Sequence, residues 1–353
     1  MPVPSLPIEL VDLIISHVAR GLSQSERHTE CGRLALVCKD WTERARMVAW
    51  RQLHVHVTSD AKLIDHLCRH PHLACYIHNI SPSVPWMSDI VGSRRGESLL
   101  DVLRRARPTD VTLPISRYTR RFFLAAAHAL NTERLRDLTC FGAIGDSETL
   151  ANWAEGLRDM PLLRILSVLV TGEEQDTQPV RSRNLDMRIA VRVFDFTVCG
   201  DADSEAMSTL FRALCGMLAD ELEACALRLP DPSALRLEPL KRFSNLTAVF
   251  LTVQSDSASV LYRLCDEAAS LPHLAGLDVS HGFSVGEVYK ETDILSNVVD
   301  VAEVVCRLPR TLPDGETLVT YVLKTSEGIG EWSLAFASSS VPATCVITAA
   351  PAR

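Results

Sequence analysis

No stretch of this chain approaches the roughly 20 consecutive apolar residues that a membrane-crossing helix requires, although 47% of its 353 residues are hydrophobic. A basic excess is also missing. The 36 Lys and Arg stand against 44 Asp and Glu, a net charge of −8, whereas a nucleic-acid binder carries a basic footprint. The 11 cysteines include no Cys-x-x-Cys pair. They lie in apolar contexts, as at Cys140 and Cys225, and read as small core residues in a reducing compartment. No basic segment precedes the early apolar run, which Glu9 and Asp12 interrupt, so no secretory signal is expected and the expected location is cytoplasmic or nuclear. Catalytic signatures are missing too. There is no Gly-x-Ser-x-Gly elbow, His-Glu-x-x-His, phosphate loop or dinucleotide fingerprint. The expectation is therefore a protein that is not an enzyme, with no catalytic residues, no cofactor, no nucleic-acid partner and no membrane partner.

The densest set of potential metal ligands is His54, His56, His66, Cys68, His70, His72, Cys75 and His78. It lacks the paired spacing of zinc sites. A helix over 61–69 and a strand from Tyr76 would scatter the side chains, so no metal is expected. Arg94, Arg95, Arg104, Arg105 and Arg107 form a local basic patch that reads as a solvated helix face.

What the sequence does hold begins at residues 5–41. Pro7 suits the first position of a helix, where a missing N–H costs nothing, and Glu9 suits its positive first turn. Leu10, Leu13, Ile14 and Val18 recur at helical spacing, and Ile8, Val11 and Ile15 widen that apolar surface. A second short helix is expected over Leu34–Cys38, running into Trp41. Helices this short cannot bury so much apolar side chain between themselves, and such a surplus marks an interaction site.

The order Leu6-Pro7, Ile14-Ile15-Ser16-His17-Val18, Leu34-Ala35-Leu36-Val37-Cys38-Lys39-Asp40-Trp41 and a later Trp50 resembles an F-box. That motif of three short helices binds the Skp-type adaptor of Skp–cullin–F-box ubiquitin ligases. The resemblance covers residues 5 to about 52. The polar run between Val18 and Leu34 is longer than the usual gap, as in the fungal branch of the family. The resemblance implies an adaptor-facing surface of Leu6, Pro7, Leu10, Ile14, Val37, Cys38 and Trp41. It also implies a cullin, reached through the adaptor, as a partner.

Past residue 52 a pattern L-x-x-L-x-L, with substitutions among apolar types, begins at 135, 163, 191, 222, 246 and 274. The separations of 28, 28, 31, 24 and 28 residues lie near the period of leucine-rich repeats, roughly 20–29 residues. Degenerate units are expected at 73–80 and 111–113. Helices are expected at 121–130, 147–157, 204–218 and 257–269. One strand and one helix per unit predicts a curved, irregular α/β solenoid in which each unit covers its neighbour; the alternative is a non-repetitive α/β domain. The expected domains are an F-box over 1–52, the leucine-rich-repeat-like solenoid over 53–283 and a cap over 284–353. The cap would hold a helix at 294–307 and strands at 318–323 and 332–336. Residues 344–353 have no assigned element.

If the first, fourth and sixth positions of each unit face the core, the third, fifth and seventh face outward. That places Asp137, Thr139, Phe141, Ser167, Asp195, Arg228, Phe250, Thr252 and Asp278 on one strand face as candidate target contacts. Exposed aromatic residues among short polar ones suit a protein-binding groove. Residues 200–353 carry 11 Lys and Arg against 21 Asp and Glu, a charge that favours basic partners. The expected function is the substrate-recognition subunit of the ligase, with an unidentified target protein held by the solenoid. The alternatives are an adaptor-bound scaffold with no role in ubiquitination, and an enzyme whose N-terminal helices are only structural.

Overall fold

The computed structural model describes residues 6–56, 60–83, 93–116, 118–130, 132–143, 147–158, 160–171, 188–199, 203–253, 258–274, 276–282, 321–324, 331–336 and 345–350. The expected helix at 294–307 lies outside them. The chain is α/β and divides into two compact units. The first comprises Met1–Phe141 and Thr149–Leu163; the second comprises Gly142–Glu148 and Arg164–Arg353.

The first unit opens with α1 (Ile8–Ala19), α2 (Gln24–Leu34) and α3 (Lys39–Trp50). Pro7 is the N-cap of α1, and its carbonyl accepts from the N–H groups of Leu10 and Val11. The helix expected at Leu34–Cys38 is instead the end of α2 and the turn into α3. The polar run before it is helical because Ser23 and Glu26 form a reciprocal capping box, which satisfies two N–H groups that a helix start leaves open. Thr42 Oγ1 then donates to the carbonyl of Ala35 at 2.9 Å, tying the turn to α3.

Parallel strands follow, each with a helix after it: β1 (Gln52–His56), α4 (Ala61–Arg69), β2 (Asn79–Ser83), α5 (Arg94–Arg105), β3 (Asp110–Ile115) and α6 (Arg120–Ala129). A short 3-10 helix, Pro71–Tyr76, precedes β2, so the strand expected from Tyr76 starts three residues later. The unit also holds all but the last residue of β4 (Asp137–Gly142), beside β3, and all but the first two of α7 (Ser147–Arg158). Its core includes Trp153, Phe122 and Phe123, all fully buried. The Trp153 indole N–H donates to Cys140 Sγ at 3.1 Å. The three N-terminal helices pack into this same unit. The N–H of His54 on β1 donates to Gln24 Oε1 of α2 at 2.8 Å.

In the second unit, β5 (Ile165–Thr171), β6 (Val193–Cys199), β7 (Ala224–Leu229), β8 (Ala248–Val253), β9 (Gly276–Gly282) and β10 (Tyr321–Lys324) run parallel in that order. The strands β11 (Glu331–Phe336) and β12 (Cys345–Ala350) add on antiparallel, so the unassigned C-terminal stretch contains a strand. The helices α8 (Ser204–Met217) and α9 (Ala258–Ala269) connect β6 to β7 and β8 to β9. Phe194, Phe196 and Phe211 are fully buried, with ring centroids 5.6–6.4 Å apart.

The repeat is visible in the backbone. Six times, two successive N–H groups at the start of a strand donate to one carbonyl of the preceding strand's start, at 2.8–3.2 Å. The acceptors are Arg51, His78, Thr109, Arg164, Arg192 and Glu223; a carbonyl has lone pairs for both donors. Arg164, Arg192 and Glu223 stand second in the L-x-x-L-x-L pattern. By the same rule the pattern also starts at Trp50, Ile77 and Pro108, all buried, with Leu53 and Val55, Ile80 and Pro82, and Val111 and Leu113 as buried fourth and sixth positions. Two of these units overlap the degenerate ones expected at 73–80 and 111–113; the unit that starts at Trp50 was not expected.

Candidate functional site

Two kinds of exposed surface stand out. The first is on α1. Val11, Ile15 and Ala19, one turn apart, fill the helix's contact with its own unit. Leu6, Ile8, Leu10, Leu13, Ile14 and Val18 remain exposed, Leu13 at 64%. The turn between α2 and α3 adds Leu36 at 86% and Val37 at 61%. Of the residues expected to face an adaptor, Leu6, Pro7, Leu10, Ile14, Val37 and Cys38 are exposed, and Trp41 is half-buried. Ile8, Leu13 and Val18 belong to the apolar surplus seen in the sequence but not to the adaptor-facing set that the resemblance implies; Leu36 is also outside that set, although Leu13 and Leu36 are the most exposed members of the surface. An ion pair between Asp12 and Arg44 (3.5 Å) links α1 to α3.

The second surface is the strand face. In the second unit Ser167, Asp195, Ala226, Phe250 and Asp278 are register partners across β5–β9. The row above it is Leu169, Thr197, Arg228, Thr252 and Ser280. Over the strands whose side chains are described the alternation is the expected one: the first, fourth and sixth pattern positions are buried from Leu163 to Leu251. Phe250 is 45% exposed, and its register partner on β7 is the small Ala226. Asp195 accepts from Thr197 Oγ1 at 3.0 Å and lies 3.6 Å from the Arg228 guanidinium.

In the first unit, Asp137, Thr139 and Phe141 are half-exposed on β4. Beside them Gln52, Asn79 and Asp110 form one row across β1, β2 and β3. Burial raises the Asp110 carboxyl above the ordinary carboxylate range, and the neighbouring Asp137 charge adds to it. Burial raises Asp137 as well, against the opposing pull of Arg136.

The histidines form a chain of rings rather than a ligand cage. His28 packs on Trp50 with centroids 4.4 Å apart, Trp50 stacks on His66 at 5.9 Å, and His66 meets His70 at 4.5 Å. Among the described residues no group of three or more His, Cys, Asp or Glu could hold a metal ion. No helix among them is long and apolar enough to cross a membrane.

Comparison with known proteins adds no assignment: neither family models nor curated proteins yield a match to this chain. The functional reading therefore rests on these surfaces.

Proposed function

We propose that this chain is the substrate-recognition subunit of a Skp–cullin–F-box ubiquitin ligase. In this reading α1–α3 form the F-box and dock a Skp-type adaptor, while the strand faces of a leucine-rich-repeat-like solenoid hold a target protein. The exposed apolar row on α1 and the α2–α3 turn carries the reading. Val11, Ile15 and Ala19 already serve the helix's own core, while Leu6, Leu10, Leu13, Leu36 and Val37 stay exposed, and a cluster of this kind marks a protein contact. The shared-carbonyl repeat supports the solenoid part, because one strand and one return segment per unit is the architecture that stacks without end. This chain then supplies no chemistry of its own. It raises the effective concentration of a target beside the ligase.

The test is co-purification of the full chain with a Skp-type adaptor. Leu6→Ala with Pro7→Ala, or Leu13→Asp alone, is expected to weaken the complex at least tenfold. Because these side chains are exposed, stability should change by no more than about 0.5 kcal/mol. Undiminished binding by both variants overturns the assignment. An adaptor-bound scaffold differs in one readout: target turnover would then be unchanged by the same variants.

A further inference from the structure

The β2–β3 ladder is short. Only Asn79 with Asp110 and Ile80 with Val111 are paired, whereas β1 and β2 pair over five residues. Pro82 stands just beyond and has no N–H to extend the ladder. On the strand face at this point lies a cavity of about 130 Å³, lined by Gln52, His54, Asn79, Ser81, Asp110 and Thr112, with the Ile80 strand at its base. The second row is built from Ser81 and Thr112, whose small side chains leave the space above the Asp110 row open.

The electrostatics of the cleft are lopsided. Asp110 Oδ2 accepts from the Asn79 amide at 3.2 Å, and no Lys, Arg or His among the described residues pairs with Asp110. Asp137 lies close enough to raise it further. At the other end of the row, Gln52 Oε1 is taken by the Arg27 guanidinium at 3.0 Å. A half-buried carboxylate that faces a second carboxylate, and has only an amide to balance it, favours a positive group beside it. The volume suits one long side chain rather than a whole cofactor.

We infer that this cleft receives a cationic side chain, arginine or lysine, with its charged head against Asp110 and its stem over Ser81 and Thr112. Asn79 holds the carboxylate in place, and the second carboxylate at Asp137 reinforces the field. The identity of the occupant as part of a captured target rests on the receptor reading. The cation-binding chemistry of the cleft does not.

The experiment titrates the full chain with acetyl-Gly-Arg-Gly-amide and acetyl-Gly-Lys-Gly-amide, following amide shifts at Asn79 and Thr112. The neutral counterparts carry citrulline and acetyl-lysine. At least one cationic peptide should bind tenfold or more tightly than its neutral counterpart, and whichever does so names the side chain. Asp110→Asn should weaken that binding at least tenfold. Thr112→Leu, which fills the cavity and keeps the carboxylate, should do the same and decides the matter if Asp110→Asn is poorly folded. Equal affinity for charged and neutral peptides, no binding by any peptide, or binding that survives both substitutions overturns the inference. Adaptor co-purification by the same variants should be unchanged, so failure of the cleft and failure of the receptor reading are told apart.

Discussion

At the scale of single residues, the chain's sharpest chemical sensitivity is the packed run of His28, Trp50, His66 and His70. Burial lowers the His28 imidazole below its ordinary range, with Arg27 and His66 adding to the effect and a backbone contact to Ala49 opposing it. Burial also lowers His66, helped by the nearby His70, Arg69 and His72. In the unfolded chain both rings regain an ordinary value of about 6.5. Between that value and the lower folded one, the unfolded state binds more protons, so stability is full above about pH 6.5 and falls as the pH drops below it. Thermal melts should shift down from pH 7.5 to 5.5. His28→Leu should shrink that shift, because it leaves one fewer buried ring to charge, while giving up the ring's backbone hydrogen bond to Ala49. Asp110 and Asp137 work with the opposite sign at lower pH, and the comparison between wild type and variant cancels them.

At the scale of elements, close approach of helices decides what each position tolerates. A Cβ added at Gly156 of α7 would stand 2.9 Å from Phe123 Cε1 and 3.0 Å from Ala127 Cβ of α6. Overpacking of this kind costs about 1–3 kcal/mol, against a gain of about 1 kcal/mol from replacing glycine inside a helix. Gly156→Ala should therefore lower stability by about 1 kcal/mol, and Gly156→Leu by more, in urea unfolding. Elements were legible where apolar spacing was regular. The helices near 121–130, 204–218 and 257–269 appear within a residue or so, and Leu138, Cys140, Phe194 and Phe196 take the expected inward register. The helix α2 was not, since it buries only Cys31 and its one clear signal, Ser23 with Glu26, lies in capping rather than periodicity. The cleft beside Asp110 was also illegible. It depends on where the β2–β3 ladder stops and on which small residues meet across strands, neither of which is written locally.

At the scale of the whole molecule, residues 1–52 are part of the first compact unit rather than an appendage to it. Arg51 O receives the start of β2, and Gln24 satisfies the His54 N–H of β1. Removing residues 1–52 should thus strip cover from Leu53 and Val55, leave β1 an open edge and lower the melting temperature of what remains. Point variants on α1 should leave melting unchanged. A truncation that melts like the intact chain would show the helices to be separable.

The carbonyl shared at six strand starts has a consequence for how such a chain can change. Intervals between pattern starts range from 24 to 31 residues in the sequence, yet from Leu163 to Leu251, which spans both extremes, the inward register stays the same. The length of the return path is therefore uncoupled from the alignment it returns to. A stretch running from one acceptor carbonyl to the next can be copied or excised and the cut ends still meet in step. Lineages can lengthen or shorten the protein by whole modules, while the outward residues at each step vary independently.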